Sequence, residues 1–232
     1  MSKTATLMNS FRAIATLWVA VDLILIHFFA TGEIGYTSHW ENGKGYVTAG
    51  THPVFLIWSA VAIVIFLMVL RVRTEEFPAG VASGKRRILA FAIDFWFSLA
   101  TLSSLGGLLV LMAESARIGK FVWQFQRNYT VPSDEYLGIP IVLSTMVLMV
   151  LYFAWPLTKG KQTVGYFIMG MKVTPPFGTS GSFTFWQAIR RVRLAFTGTL
   201  SLLSRKADRD STGRTWYDRE TNSTVILIKY EE

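Results

Sequence analysis

Four apolar stretches separated by short polar runs dominate the chain: Arg12 to Ala30, Pro53 to Leu70, Ile88 to Ala113 and Ile139 to Leu157. Each is long enough, as a helix, to cross a hydrocarbon core of roughly 30 Å, which takes about 20 mainly apolar residues. The third exceeds that length and is expected to tilt or protrude. After the fourth the pattern changes. Phe167 to Thr174 and Thr224 to Tyr230 are short apolar and β-branched runs, the first stopped by the turn signal Pro175-Pro176-Phe177-Gly178, and they predict two strands able to pair into a ribbon. Between them Phe185, Ile189, Val192, Phe196, Leu200 and Leu203 recur at helical spacing, with Gln187, Arg190 and Arg191 largely elsewhere on the wheel. This predicts an amphipathic helix whose uncharged part is too short to span. Two placements fit it: along the inner membrane face with its arginines toward phosphates, or packed on the bundle of spans. The expected fold class is an all-α polytopic membrane protein with four transmembrane helices, a cytoplasmic amphipathic helix and a small β ribbon.

Composition agrees with that class: 51% of the 232 residues are hydrophobic and 14% aromatic, high for a soluble domain. Orientation follows from the basic residues, which are retained on the cytoplasmic side during insertion. Met1 to Arg12 carries two of them, Arg71 to Arg87 five and Thr158 to Glu232 twelve, whereas the two intervening loops hold only Lys44, Arg117, Lys120 and Arg127. Both termini are therefore expected in the cytoplasm of a multi-pass protein of the bacterial inner membrane, with Thr31 to His52 and Glu114 to Gly138 outside. The net charge of +8 is explained by these loops and by attraction to anionic lipid headgroups, with no nucleic acid needed. A cleavable signal peptide is argued against by Asp22 inside the first apolar stretch. The absence of cysteine excludes disulfides and thiolate chemistry.

Charge, proline and glycine at Glu75-Glu76-Phe77-Pro78-Ala79-Gly80 mark a boundary. Residues 1–78 read as a two-span hairpin, and residues 79–232 as a module of two spans with a cytoplasmic C-terminal region. In the third span, Ala100/Ser104 and Ser103/Gly107 are small-residue pairs that allow close helix approach.

The candidate chemistry lies in two acids within apolar stretches, Asp22 and Asp94. A carboxylate in hydrocarbon is costly and usually faces protein, pairs or takes up a proton. Arg87 stands two turns before Asp94 on one helix face, and their side-chain directions keep them from touching. A donor from elsewhere is expected for Asp94, with Arg190 or Arg191 the candidates. Two roles are open: a fastener that fixes how the tail docks, or a site binding a proton or cation.

The segment Arg87-Ile-Leu-Ala-Phe-Ala-Ile-Asp94, then Gln162-Thr-Val-Gly165 with Gly170-Met-Lys-Val173, then Ala188-Ile-Arg190-Arg191, and finally Trp216-Tyr217-Asp218 with Thr224-Val225 occur in that order. Together they resemble the RDD family of membrane proteins over roughly residues 85–230. The resemblance implies Arg87, Asp94 and Asp218 as the family's arginine and two aspartates, and it implies a membrane fold more readily than an activity, although some members have been proposed as cation/proton antiporters. Tyr166 stands where relatives often carry lysine.

No nucleophile elbow, His-Glu-x-x-His or carboxylate pair in a soluble cleft is present, and the glycine required upstream of Gly160-Lys161-Gln162-Thr163 for a phosphate loop is Trp155. The chain is expected not to be an enzyme. No cofactor is identified: His27, His39 and His52 are read as interfacial polar contacts in preference to metal or pigment ligands. The expected role is an accessory or stabilising subunit of a larger membrane assembly, with other membrane subunits or further copies of itself and the lipid bilayer as partners. The alternative is cation/proton transport using Asp22 and Asp94.

Overall fold

Helices form along all four apolar stretches. The computed structural model describes residues 3–29, 35–42, 44–72, 77–129, 138–175, 182–204 and 214–229. In chain order its elements are α1 (Lys3–Phe29), β1 (Gly35–Glu41), β2 (Lys44–Gly50), α2 (Pro53–Arg71), β3 (Phe77–Val81), α3 (Gly84–Ile118), β4 (Gln124–Tyr129) and α4 (Gly138–Thr158). They are followed by α5 (Val164–Ile168), β5 (Met171–Thr174), α6 (Phe185–Ser204), α7 (Trp216–Glu220) and β6 (Thr224–Lys229). The third stretch becomes a helix of 35 residues, longer than its apolar part because the flanking Lys, Arg, Glu and Ala residues are good helix formers.

Among the described residues, α2 and α3 are long and apolar enough to cross a membrane. Only 28% and 33% of their apolar windows are buried, whereas the core helix of a soluble protein is largely covered. Ile57, Leu67, Leu109 and Met112 remain exposed. Their length, apolar composition and uncovered flanks are those of membrane-crossing helices.

The chain divides into two compact units, Met1–Val19 with Val64–Phe97 and Val150–Glu232, and Ala20–Ile63 with Ser98–Met149. In the first, the expected ribbon forms: β5 pairs antiparallel with β6, Met171 opposite Leu227 and Thr174 opposite Thr224. The segment expected to be a boundary adds a third strand, β3, on the other edge of β6. Phe167 and Ile168 do not belong to the strand as expected. They close the short helix α5, whose first turn is bonded to Asp94 as described below. The amphipathic helix is α6, and its Phe196 packs on Phe91 of α3 and Phe153 of α4, with ring centroids 4.9 and 5.1 Å away. Of the two placements open to it, packing on the helices is what its apolar face does.

The second unit keeps the mostly helical character expected and adds a second small sheet that was not expected. Its loops form a three-stranded sheet in the order β1-β2-β4, with Glu41 opposite Lys44 at the β1–β2 turn and Gly50 opposite Gln124 across β2–β4. The turn residue Asn42 has φ +51°, as a two-residue hairpin turn requires. Buried Glu114 faces Arg127 at 3.6 Å in this unit. The hydroxyls of Ser103 and Ser104 donate back to the Ala100 carbonyl of their own helix.

Candidate functional site

Asp94 is fully buried, and its carboxylate collects three neutral donors. The Tyr152 hydroxyl donates at 2.7 Å, the Thr163 hydroxyl at 2.5 Å and the Gly165 amide at 2.6 Å. The first amides of a helix have no partner within it, and the carboxylate supplies one to the start of α5. The Val164 amide donates to the Tyr152 hydroxyl at 3.3 Å, so α4 joins the same arrangement. Only glycine fits at position 165: a Cβ there would stand 2.8 Å from Asp94 Cγ and nearer still to the Ala90 carbonyl. Gln162 completes the turn by donating from Nε2 to the Met171 carbonyl at 2.5 Å. The segment Gln162-Thr-Val-Gly165 is thus a socket for Asp94 built on the chain that leaves α4.

Arg87 and Asp94 serve different partners. Arg87 Nη1 donates to the Asp218 carboxylate and to the Thr215 hydroxyl (3.4 Å), and Nε donates to the Ala82 carbonyl at 3.2 Å. On the other side of Asp218, Arg191 Nη2 donates to Oδ1 at 2.9 Å. Arg191 Nη1 donates to the hydroxyls of Ser223 and, at 2.9 Å, Thr221. Asp218 also accepts the Thr215 amide at 3.1 Å, the returning half of a capping box that starts α7. Arg87 is 1% exposed and Asp218 0%, so three elements, α3, α6 and α7, are held by one buried carboxylate between two guanidinium groups.

Burial alone would push the Asp218 carboxyl up, but Arg191 and Arg87 outweigh it and hold the group below the ordinary carboxylate value. Asp218 is therefore ionised at neutral pH. Nearby, burial pushes the Tyr166 phenol far up, so it stays a neutral donor. α6 reaches this cluster because residue 198 is glycine: a Cβ there would meet the Tyr217 ring, with Cε1 at 3.0 Å. The same ring lies 5.8 Å from the Arg191 guanidinium, a cation–π distance.

Several expectations are corrected by this geometry. Neither Arg190 nor Arg191 donates to Asp94 among the described residues; Arg191 is drawn to Asp218, and Arg190 forms an exposed pair with Glu220 at 3.5 Å. Arg191 does not point to phosphates, since it is buried. Asp22 is buried, 2% exposed, in α1, and it belongs to the other compact unit from Asp94. His52 Nδ1 accepts the Val54 amide at 3.3 Å near the start of α2. The side chains of His27 and His39 lie outside the described residues.

Tyr152 and Thr215 are site residues that the sequence reading does not mark, while Thr163 is marked only as part of Gln162-Thr-Val-Gly165 and Ser223 carries no role from the sequence. The pattern Thr215-x-x-Asp218 carries a capping signal that would have flagged one of them. A further anchor, Arg12, donates from Nε to the Phe167 carbonyl at 3.0 Å and ties the start of α1 to α5.

No curated protein and no solved structure matches the chain. The model of the RDD family matches residues 81–219, more than half of the chain and inclusive of Arg87, Asp94 and Asp218, and the chain belongs to that family.

Proposed function

We propose that the chain is a non-enzymatic, four-span protein of the bacterial inner membrane, with both termini cytoplasmic, that acts as an accessory or stabilising subunit of a larger membrane assembly. One observation carries this reading: Asp94 and Asp218 are both engaged by several donors of the chain itself, so they fasten the C-terminal region to α3 and α4. A residue engaged in this way holds a shape. The four apolar helices and the distribution of basic residues support the topology. Lys159, 5.4 Å over the exposed ring of Trp155 at the end of α4, and exposed Trp186 are the aromatic and basic groups expected at an inner interface. The uncovered apolar flanks of α2 and α3 supply lateral surface for lipid and for neighbouring subunits or further copies of the chain. Extraction from its native membrane in mild detergent tests the role. A particle larger than one 26.1 kDa chain, of fixed stoichiometry, is expected. A monodisperse monomer with no co-purifying protein contradicts it.

A second reading, cation/proton exchange, is favoured by the neutrality of the Tyr152, Thr163 and Gly165 donors to Asp94: among the described residues no basic side chain donates to it. Flux measured in proteoliposomes separates the two. An ion flux that Asp94→Asn abolishes while the fold survives supports exchange; one that survives the substitution excludes this acid as carrier.

A further inference from the structure

A partly open pocket beside the Asp218 cluster has about 530 Å³ of unfilled space counting its mouth. The charged groups that line it are already engaged. Arg191 is held by Asp218, Thr221 and Ser223, and Lys161 donates to the Val72 carbonyl at 2.8 Å and has a further partner. Two neutral groups of the lining are engaged as well: Thr163 donates to Asp94, and Gln162 Nε2 donates to the Met171 carbonyl. Tyr166 differs. It lines the pocket, half-buried, and its hydroxyl has no hydrogen-bond partner among the described residues.

The rest of the wall is apolar. Phe91, Phe153 and Phe196 line it, with the Phe196 ring edge-on to the other two. Phe95 extends this wall: its ring stacks on Phe91 at 6.2 Å, meets Phe196 at 6.5 Å and belongs to a residue that is 39% exposed. Polar and apolar ends are thus separated along α3. The Tyr166 phenol is close enough to feel the charges of Arg191, Arg87 and Asp218, at the start of α3. Phe91 and Phe95 stand four and eight residues after Arg87, about 6 and 12 Å further along the helix.

A pocket of this kind takes a mainly apolar body with one well-placed acceptor. An ion gains nothing here, because it would leave water for cations that already have partners. A neutral carbonyl does gain, since it supplies the acceptor that the half-buried hydroxyl lacks. In the topology proposed above, the apolar stretch of α3 begins beside Arg87. The phenol therefore stands at the level of the ester carbonyls of bilayer lipids, and Phe95 stands within the hydrocarbon.

We propose that this pocket holds one acyl chain of a glycerolipid from the cytoplasmic leaflet, with the ester carbonyl accepting from the Tyr166 hydroxyl and the first methylenes running along Phe153, Phe196 and Phe91 to leave past Phe95. The lipid is chosen by its ester and its chain, and headgroup charge plays no part. The leaflet rests on the proposed topology, which is read separately by labelling a single cysteine, introduced as Lys159→Cys into this cysteine-free chain, from either side of the membrane. Binding itself is measured in detergent and depends on neither the topology nor a partner subunit.

The test uses the purified full-length chain, delipidated in mild detergent and then given dioleoyl phosphatidylcholine, dioleoyl phosphatidylglycerol or ether-linked dioctadecenyl phosphatidylcholine, which has no carbonyl oxygen. Native mass spectrometry and thermal melting are the readouts. Both ester lipids are expected to stay bound equally, at one molecule per chain, and to raise the melting temperature. The ether analogue should be retained about fivefold less, equivalent to about 1 kcal/mol for one hydrogen bond. Tyr166→Phe leaves no protein group unpaired, so it should melt like wild type without lipid and retain ester and ether lipids alike. Ala195→Phe, which fills the pocket, abolishes retention. Equal retention of ester and ether lipids by wild type, an ester preference that survives Tyr166→Phe, a severalfold preference for either headgroup, or undiminished binding by folded Ala195→Phe overturns the proposal. If Ala195→Phe does not fold, the comparison of wild type with Tyr166→Phe decides by itself.

Discussion

Asp218→Asn keeps the shape of the side chain and removes the charge that two arginines share. In the native chain this carboxylate accepts from Arg87, from Arg191 at 2.9 Å and from the Thr215 amide at 3.1 Å, and the charged side chains are no more than 3% exposed. Water does not reach them to replace what is lost. Removing one partner from a buried ion pair costs about 3–5 kcal/mol, roughly a fifth or more of a typical total stability of about 5–15 kcal/mol. At about 1.4 kcal/mol per factor of ten, the fraction of molecules in which α6 and α7 have left α3 rises by roughly two to four orders of magnitude. Limited trypsin digestion in mild detergent, mapped by mass spectrometry, reads that fraction directly. Lys172 and Arg191 are both buried, so wild-type protein is protected at these sites and Asp218→Asn is cut at both. Equal protection of the two proteins, with the same melting temperature, would refute the reasoning.

Gly165→Ala drives a methyl into Asp94 and the Ala90 carbonyl and is expected to cost about 1–3 kcal/mol as overpacking does, read as a lowered melting temperature; an unchanged value contradicts the socket. Neighbouring arginines separate cleanly. Arg191→Ala should cost about 3 kcal/mol or more, while Arg190→Ala, whose pair with Glu220 is 58% and 59% exposed, should change stability by less than about 0.5 kcal/mol; similar losses in chemical denaturation of the two variants count against the assignment. Acid gives a further test. Asp218 is held below its ordinary 3.8 in the folded chain, so its contribution is complete above that value and is lost as pH falls from there through the lowered folded value. The melting temperature of wild type should therefore drop more steeply below about pH 4 than that of Asp218→Asn, and parallel acid limbs contradict the linkage.

The sequence made some of this legible and left the rest hidden for physical reasons. α6 was readable because Ile189, Val192 and Phe196 follow helical spacing, and the β5–β6 pair because Lys172-Val173-Thr174 and Val225-Ile226-Leu227 are β-branched and apolar between turn signals. The β1-β2-β4 sheet escaped notice because Gly-Tyr-Thr-Ser-His-Trp-Glu and Gln-Phe-Gln-Arg-Asn-Tyr lack a run of alternating apolar residues. Its clearest trace was Asn42-Gly43, a strong hairpin dipeptide. Arg87, Asp94 and Asp218 were legible as residues, but their pairing was not. Helix geometry separates Arg87 from Asp94 without saying that Arg87 reaches Asp218, 131 positions on. Nor does it say that Asp94 accepts from two hydroxyls and an amide and, among the described residues, from no arginine. Neutral donors leave no charge pattern in a sequence, and the need for Gly165 arises from a close approach that only the folded chain reveals.

The fastening of the C-terminal region to α3 is tested most directly by a double-mutant cycle on Arg87 and Asp218, with Arg87→Met, Asp218→Leu and the double variant unfolded under one set of conditions. A shared buried ion pair predicts that the double variant is more stable than the sum of the single losses by about 2 kcal/mol or more. Losses that add to within about 0.5 kcal/mol would mean that the two side chains do not act together.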